Sequence, residues 1–365
     1  YDVIDVKHID SKEGYVYYLA SPDNATQKYL YRTKLNGKGK NELLSPESLK
    51  GTHDYSFSSN GNYAEHSFSN HYTKNSKEFI AVDSHKALTE KESIVKNLKS
   101  LEEKPTTEFF TITTEDNVTM DAWMVKPTNF DPSKKYPVLF YVYTEPAGTT
   151  VTDTYNVSRG MYSGSLADDG YIYISVDNRG TPAPKGREWR KSIYRDIGGI
   201  NIDDQAKAAK EILKWDFVDA DRVAVWGWSG GGSATLNLLF RYPEIYKTGI
   251  AVAAVANQLT YDNIYQERYM GLPQENKEDF IEGSPITHAK NLQGNLLYIH
   301  GTGDDNVHYQ NAELLINELV KYNKQFQVMP YPNQSHGMSE GEGTFPHLIT
   351  LFTNYLNQHC PPGAK

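Results

Sequence analysis

The stretch that most constrains this chain is Arg222-Val223-Ala224-Val225-Trp226-Gly227-Trp228-Ser229-Gly230-Gly231-Gly232. Val223 to Trp226 is a β-branched, apolar run of the kind a buried strand takes. The run stops at Gly227, and helix-compatible sequence resumes over Ser233–Tyr242. A single serine flanked by glycines sits between them. A strand-to-helix turn this tight strains the backbone at the serine, and a Cβ on either flank would collide with the neighbouring strand and helix. It lifts the Ser229 hydroxyl above the sheet edge and aims it at a helix N-terminus, where free N–H groups and the helix dipole favour a developing negative charge.

Strands and helices alternate around this stretch. Val138–Tyr143, Tyr171–Val176, Gly249–Ala253, Leu296–His300 and Phe326–Met329 read as strands. Asp203–Trp215, Ala312–Tyr322 and Pro346–Gln358 read as helices. That order predicts a mostly parallel, doubly wound sheet. In this strand–turn–helix context Gly-Trp-Ser-Gly-Gly is the nucleophile elbow of an α/β-hydrolase. A hairpin over Phe109–Ile112 and Met120–Val125 precedes the sheet.

The first 87 residues differ. Tyr15–Leu19, Lys28–Arg32, Tyr55–Phe57, Tyr63–Phe68 and Phe79–Val82 are aromatic-rich, strand-like runs, with turn signals at Asn36-Gly37 and Asn60-Gly61. Such strands in groups of four form propeller blades, and there is sequence for about two blades where a ring needs at least about four. The expected organisation is an incomplete β-propeller over residues 1–87, a Lys-, Glu- and Leu-rich linker helix over 88–104, and an α/β-hydrolase domain over 105–360.

A net charge of −9 without a basic block argues against nucleic acid and anionic membrane surfaces as partners. No apolar run approaches a membrane span. The one cysteine, Cys360, lies in a Pro- and Gly-rich tail with no activating base or second thiol nearby. No metal-ligand cluster or phosphate loop appears, so no metal and no cofactor is expected. The chain opens on Tyr1 rather than Met, which reads as a processed product or an excised fragment, and what remains does not encode a compartment.

An isolated serine hydroxyl is a weak nucleophile and needs a base within hydrogen-bond reach, itself oriented by a carboxylate. On this fold the order is serine, acid, histidine, with acid and base on loops after later strands. Of the histidines after Ser229, His300 precedes every suitably placed acid, His347 lies inside the last helix and His359 at its end. His336, between the last strand and the last helix, has the right place. The acid must follow the strand that ends at His300, where Asp304 and Asp305 stand side by side and spacing alone does not separate them. The oxyanion needs donors. The Gly230 N–H is one, and Tyr143, after the third strand, is either the second or a packed aromatic.

These residues resemble the prolyl oligopeptidase family of serine peptidases, and within it the dipeptidyl peptidases. The similarity runs from about Lys134 to the C-terminus and is specific at Gly227-Trp228-Ser229, Tyr265-Gln266-Glu267-Arg268-Tyr269-Met270-Gly271-Leu272-Pro273 and His300-Gly301-Thr302-Gly303-Asp304-Asp305-Asn306-Val307-His308. The resemblance implies Asp304 as the catalytic acid, Tyr143 as an oxyanion donor, Asn306 as a holder of the substrate carbonyl, and a pocket for the residue before the scissile bond lined by Val255, Tyr261, Tyr265 and Val307. It implies peptide substrates, release of N-terminal X-Pro or X-Ala dipeptides, a homodimer formed through the last helix, and a periplasmic or secreted setting. A carboxylesterase on the same fold and a catalytically idle interaction domain are the alternatives.

Three positions depart from the family pattern. Gly230 stands where relatives usually carry tyrosine, Gln258 replaces a pocket tryptophan, and Glu145 replaces a loop glycine after the oxyanion tyrosine. Loss of two aromatic walls is expected to widen the pocket and weaken its grip on proline. The glutamates that anchor a free amino terminus in relatives lie on propeller sequence not contained in this chain.

Overall fold

The aromatic runs of the N-terminal region fold into two antiparallel four-stranded sheets, as expected for two blades. In the computed structural model, which describes residues 2–365, the first sheet is β1 (Val3–Asp10), β2 (Tyr15–Ala20), β3 (Tyr29–Lys34) and β4 (Glu42–Leu43) in sequence order. The second is β5 (Thr52–Phe57), β6 (Tyr63–Asn70), β7 (Thr73–Ala81) and β8 (Lys86–Ala87), also in order. Alternate residues point inward, so Tyr17, Leu19, Leu30, Tyr55, Ala64, Ile80 and Val82 form one buried cluster. Among the described residues, 2–108, 151–159 and 183–188 make up one compact unit, and the rest a second.

The linker helix is shorter than its composition predicts. It covers Ile94–Leu101 and starts at Ser93, whose side chain accepts from the Lys96 N–H. Residues 88–93 are turns, because β8 pairs with β7 and the chain must reverse before a helix can begin.

A chain of buried side chains runs through the second blade. His53 Nε2 lies 2.9 Å from the Leu49 carbonyl, His53 Nδ1 lies 2.9 Å from His66 Nε2, and His66 Nδ1 lies 2.9 Å from Glu78 Oε1. Glu78 Oε2 accepts from the Ile94 N–H at 3.0 Å, and His85 Nε2 meets the Tyr55 hydroxyl at 2.8 Å.

The second unit is built on an eight-stranded mixed sheet. Its strands are β9 (Thr107–Thr113), β10 (Thr119–Val125), β11 (Tyr136–Tyr141), β12 (Ile172–Asp177), β13 (Val218–Trp228), β14 (Thr248–Val252), β15 (Asn295–Gly301) and β16 (Gln327–Tyr331), in the order β16-β15-β14-β13-β11-β12-β10-β9. Every neighbour from β12 across to β16 runs parallel, and β10 is antiparallel to β12. The parallel strands are buried on both faces, which is why they read as continuous apolar runs.

Chain order reverses at β11, with β12 on one side and β13 on the other. That switch point places the carboxyl ends of β11 and β13 side by side, with Tyr141 opposite Trp226 in register. The helix Gly230–Arg241 follows β13 and packs on β13 and β14 with all but Arg241 buried. No helix among the described residues is long and apolar enough to cross a membrane.

Candidate active site

Ser229 follows β13 with φ 59° and ψ −121°, a left-handed conformation for a residue that carries a Cβ. Neighbouring glycines make it feasible. A Cβ on Gly227 would overlap the Gly231 backbone and the Val142 carbonyl, so strand and helix approach each other as closely as backbone allows. The Ser229 N–H donates to the Val252 carbonyl at 2.8 Å, and Ser229 is the N-cap of the helix that begins at Gly230. Helix N-terminal amides are therefore presented beside the Ser229 side chain.

Asp304 and Asp305, indistinguishable by spacing, are separated by their environments. Asp305 is exposed, whereas Asp304 is 3% exposed and sits within reach of four donors. Its Oδ1 accepts from the Asn306 and Val307 N–H groups at 2.9 Å each, and its Oδ2 lies 2.8 Å from His336 Nδ1 and 3.2 Å from His300 Nε2. Burial alone would raise this carboxyl. The hydrogen bonds from His300 and His336 outweigh burial and hold Asp304 well below the usual carboxylate range.

With Nδ1–H donating to Asp304, His336 keeps Nε2 as an acceptor. The loop that carries His336 is tied to the elbow, because Trp228 Nε1 donates to the His336 carbonyl at 3.0 Å. His300, set aside as a base by the order rule, is wholly buried and bridges the acid loop. Its Nε2 faces the Val307 carbonyl at 2.8 Å as well as Asp304, and its Nδ1 faces the Tyr298 hydroxyl at 3.2 Å. Only the tertiary approach of β15 and the loop after it reveals that contact.

Tyr143 emerges from β11 half-buried, and its hydroxyl has no hydrogen-bond partner among the described residues. Burial, and then the neighbouring Glu145 carboxyl, raises its phenol well above the ordinary value, so it stays a donor. Tyr261 donates to Asn306 Oδ1 at 3.0 Å, and the Tyr261 and Tyr265 rings meet edge to face at 5.5 Å. Val255 and Val307 are buried nearby in sequence terms on the loops after β14 and β15. Gln258 is turned inward, 2% exposed, where Gln266 donates to its side chain.

The space over Gly230 is not left open. Glu145 fills that space: a Cβ on Gly230 would lie 2.5 Å from Glu145 Cδ and 2.8 Å from its Oε2. Sequence reasoning noted both departures but had no means of seeing that one compensates the other. Elsewhere in the chain, ligand atoms of His66, Glu78 and His85 lie within 4.8 Å of one another, close enough to hold a metal ion, but His66 already spends both ring nitrogens on Glu78 and His53.

Residues 159–361 match the prolyl oligopeptidase family, and residues 1–75 match the dipeptidyl peptidase IV N-terminal region. The chain is 36% identical to a probable dipeptidyl-aminopeptidase B of Coccidioides posadasii over 93% of its own length and 37% of the relative's. It is 38% identical to the mouse prolyl endopeptidase FAP over 64% of its length and 31% of the relative's. The crystal structure of Porphyromonas gingivalis dipeptidyl peptidase 4 superposes with a TM-score of 0.87 at 36% identity, covering 98% of this chain and 50% of that one. The chain thus spans only 31% to 42% of the length of such curated relatives. With more than half of its residues inside the family match, and the elbow, acid and histidine all within that span, the chain belongs to the prolyl oligopeptidase family.

Proposed function

We propose that this chain carries the catalytic machinery of a serine peptidase that releases dipeptides from the amino terminus of short peptides. Ser229 Oγ attacks the scissile carbonyl carbon while His336 Nε2 takes its proton. The same nitrogen then gives that proton to the leaving amine, and the C–N bond breaks to leave an ester on Ser229. Water, deprotonated by His336, attacks the ester and frees the dipeptide acid. Asp304 keeps His336 in the tautomer with Nε2 unprotonated and stabilises the imidazolium. The Gly230 N–H and the Tyr143 hydroxyl stabilise the oxyanion, and Asn306 holds the substrate carbonyl. Val255, Tyr261, Tyr265 and Val307 line the pocket for the residue before the cleaved bond.

The observation that carries this reading is the bond from His336 Nδ1 to an Asp304 held ionised, on a loop latched to a serine at φ 59°. Names of relatives supply the reaction class. A self-association through the helix Thr344–His359 is part of the proposal, and light scattering at micromolar concentration checks it.

The test is initial-rate hydrolysis of Gly-Pro, Ala-Ala and N-blocked Gly-Pro anilides and a short acyl ester, with Ser229→Ala as blank. Turnover of free-amino dipeptide anilides that vanishes in Ser229→Ala, with the thermal midpoint kept, is the expected result. Ester turnover without amide turnover would overturn it in favour of an esterase.

A further inference from the structure

Glu145 leaves β11 two residues after Tyr143, and the residue between them is under strain. Thr144 has φ 70°, which for a β-branched side chain is an outlier. It is held there from two sides, by Asn178 Nδ2 on its carbonyl at 2.9 Å and Asn201 Nδ2 on its hydroxyl at 3.0 Å, both asparagines being buried. The strain turns the chain so that Tyr143 and Glu145 are presented together.

The Glu145 side chain, 7% exposed, lies flat on Gly230, the residue after the serine. Its Oε2 accepts from the Tyr265 hydroxyl at 2.6 Å. Its Oε1 makes no hydrogen bond with any described residue. The groups facing it are phenols: Tyr143 from its own loop, Tyr261 and Tyr265 from the segment after β14, and Tyr269 beyond them, its ring 4.8 Å from that of Tyr265. Oε1 is not fully enclosed and keeps a narrow contact with solvent, so whatever displaces that water must supply a donor in its place.

We infer that Glu145 determines which residue is accepted before the scissile bond: its unpaired oxygen, on the pocket wall beside Ser229, takes a hydrogen bond from a hydroxyl- or ammonium-bearing side chain, so serine and lysine are favoured there over proline. The inference rests on the proposed peptidase reading only for the identity of the pocket. A proline ring at this wall would strip water from Oε1 and return no hydrogen bond, whereas a donor would satisfy it. Burial pushes the Glu145 carboxyl up to about 7, against the Tyr265 hydrogen bond, which pulls the other way. A substrate ammonium therefore gains as pH rises through neutrality and the carboxylate forms. Proline loses over the same interval.

The experiment separates binding from chemistry. Ala-Lys, Ala-Ser and Ala-Pro are titrated by calorimetry into Ser229→Ala protein, alone and combined with Glu145→Gly or Glu145→Gln, and the matching anilides are assayed with Ser229 intact. Ala-Lys and Ala-Ser are expected to bind at least about 10-fold tighter than Ala-Pro, as a charge-assisted or neutral hydrogen bond gained at an acceptor largely withdrawn from water would give. Glu145→Gly should reverse the order. Glu145→Gln, which keeps the Tyr265 contact and the fold, should keep the preference for Ser and lose that for Lys. Equal binding of the three dipeptides, no binding, or an order unchanged by either substitution overturns the inference. Dipeptides bound in the predicted order with no anilide turned over would sink the catalytic reading and leave the pocket assignment standing.

Discussion

Two buried histidine–carboxylate clusters in this molecule use the same chemistry and reach opposite charge states. In the second unit, Asp304 lies among His336 and His300 and is held far below the usual carboxylate range. In the first, Glu78 lies against His66, yet burial raises the Glu78 carboxyl and drives the His66 imidazole down to about 3. Burial is similar, with Asp304 and Glu78 both 3% exposed. Donor supply differs. Asp304 takes two backbone N–H groups and two imidazoles, enough to carry its charge out of water. Glu78 takes one backbone N–H and one imidazole that is itself part of a chain. A neutral chain satisfies every bond there: Glu78 O–H to His66 Nδ1, His66 Nε2–H to His53 Nδ1, and His53 Nε2–H to the Leu49 carbonyl. The count of donors decides which carboxyl stays ionised.

Removing the charge at Asp304 should have the largest effect. In Asp304→Asn the amide can no longer stabilise an imidazolium and can present its N–H to His336 Nδ1, which favours the wrong tautomer. A loss of kcat of about 10⁴-fold with the fold intact is expected, as for triads elsewhere. Burst kinetics on an activated ester would show acylation slowed by the same factor. Activity within tenfold of the original would mean that Asp304 only staples its loop.

Acidification should expose the neutral cluster next. His53, His66 and His85 are all pushed below their ordinary values, chiefly by burial, so each binds a proton in the unfolded chain before it does in the folded one. Stability from these three is present above pH about 6.5 and is lost as pH falls. Glu78 opposes them, because its raised carboxyl keeps a proton in the folded state that the unfolded chain has released above about pH 4.5. The net uptake of two protons on unfolding gives a slope of up to about 2.7 kcal/mol per pH unit near pH 5. Amide exchange should show β5 to β7 losing protection between pH 6 and 5. Protection that holds steady over that range would mean the histidines are already charged when folded.

His300 is the smaller lever on the Asp304 cluster. His300→Phe removes one charge-assisted hydrogen bond from Asp304, and kcat should fall about 10- to 100-fold with KM little changed. His300 acts through Asp304, so the double variant with Asp304→Asn should be no worse than Asp304→Asn alone. Additive losses would assign His300 a separate role in packing.

The two clusters were not equally legible in the sequence. Ser229, His336 and the Asp304-Asp305 pair follow from strand order and the elbow, because an α/β sheet fixes which loop each residue must occupy. Helices over Asn263–Met270 and Pro273–Gly283 went unread, although Asp262 at the N-cap and Pro273 at the first turn both announce a helix start. The buried partners escaped for a different reason. His300 on Asp304, Glu145 on Gly230, and His66 on Glu78 depend on which side chains meet across elements, and no local period carries that information. Glu145 was visible as a departure from a glycine, yet its meaning needed the empty space over Gly230.

The smallest effect should be the most instructive. In the neutral cluster Glu78 Oε1 is the donor toward His66 Nδ1 and Oε2 the acceptor from the Ile94 N–H. A glutamine matches both, with its amide nitrogen in place of Oε1 and its carbonyl in place of Oε2. Glu78→Gln should therefore leave unfolding stability at pH 7 unchanged or raise it, since every buried group keeps its partner and folding no longer has to protonate a carboxyl. The variant's advantage should grow as pH rises above the ordinary glutamate value of about 4.5, where the unfolded parent has already released its proton. Were the pair instead an ion pair, His66⁺ against Glu78⁻, the same change would strand a buried imidazolium and cost about 3–5 kcal/mol. Urea unfolding of the two proteins at pH 7 separates these outcomes. The same conservative amide substitution that silences Asp304 would then do no harm at Glu78, because only one of the two carboxyls is held as a charge.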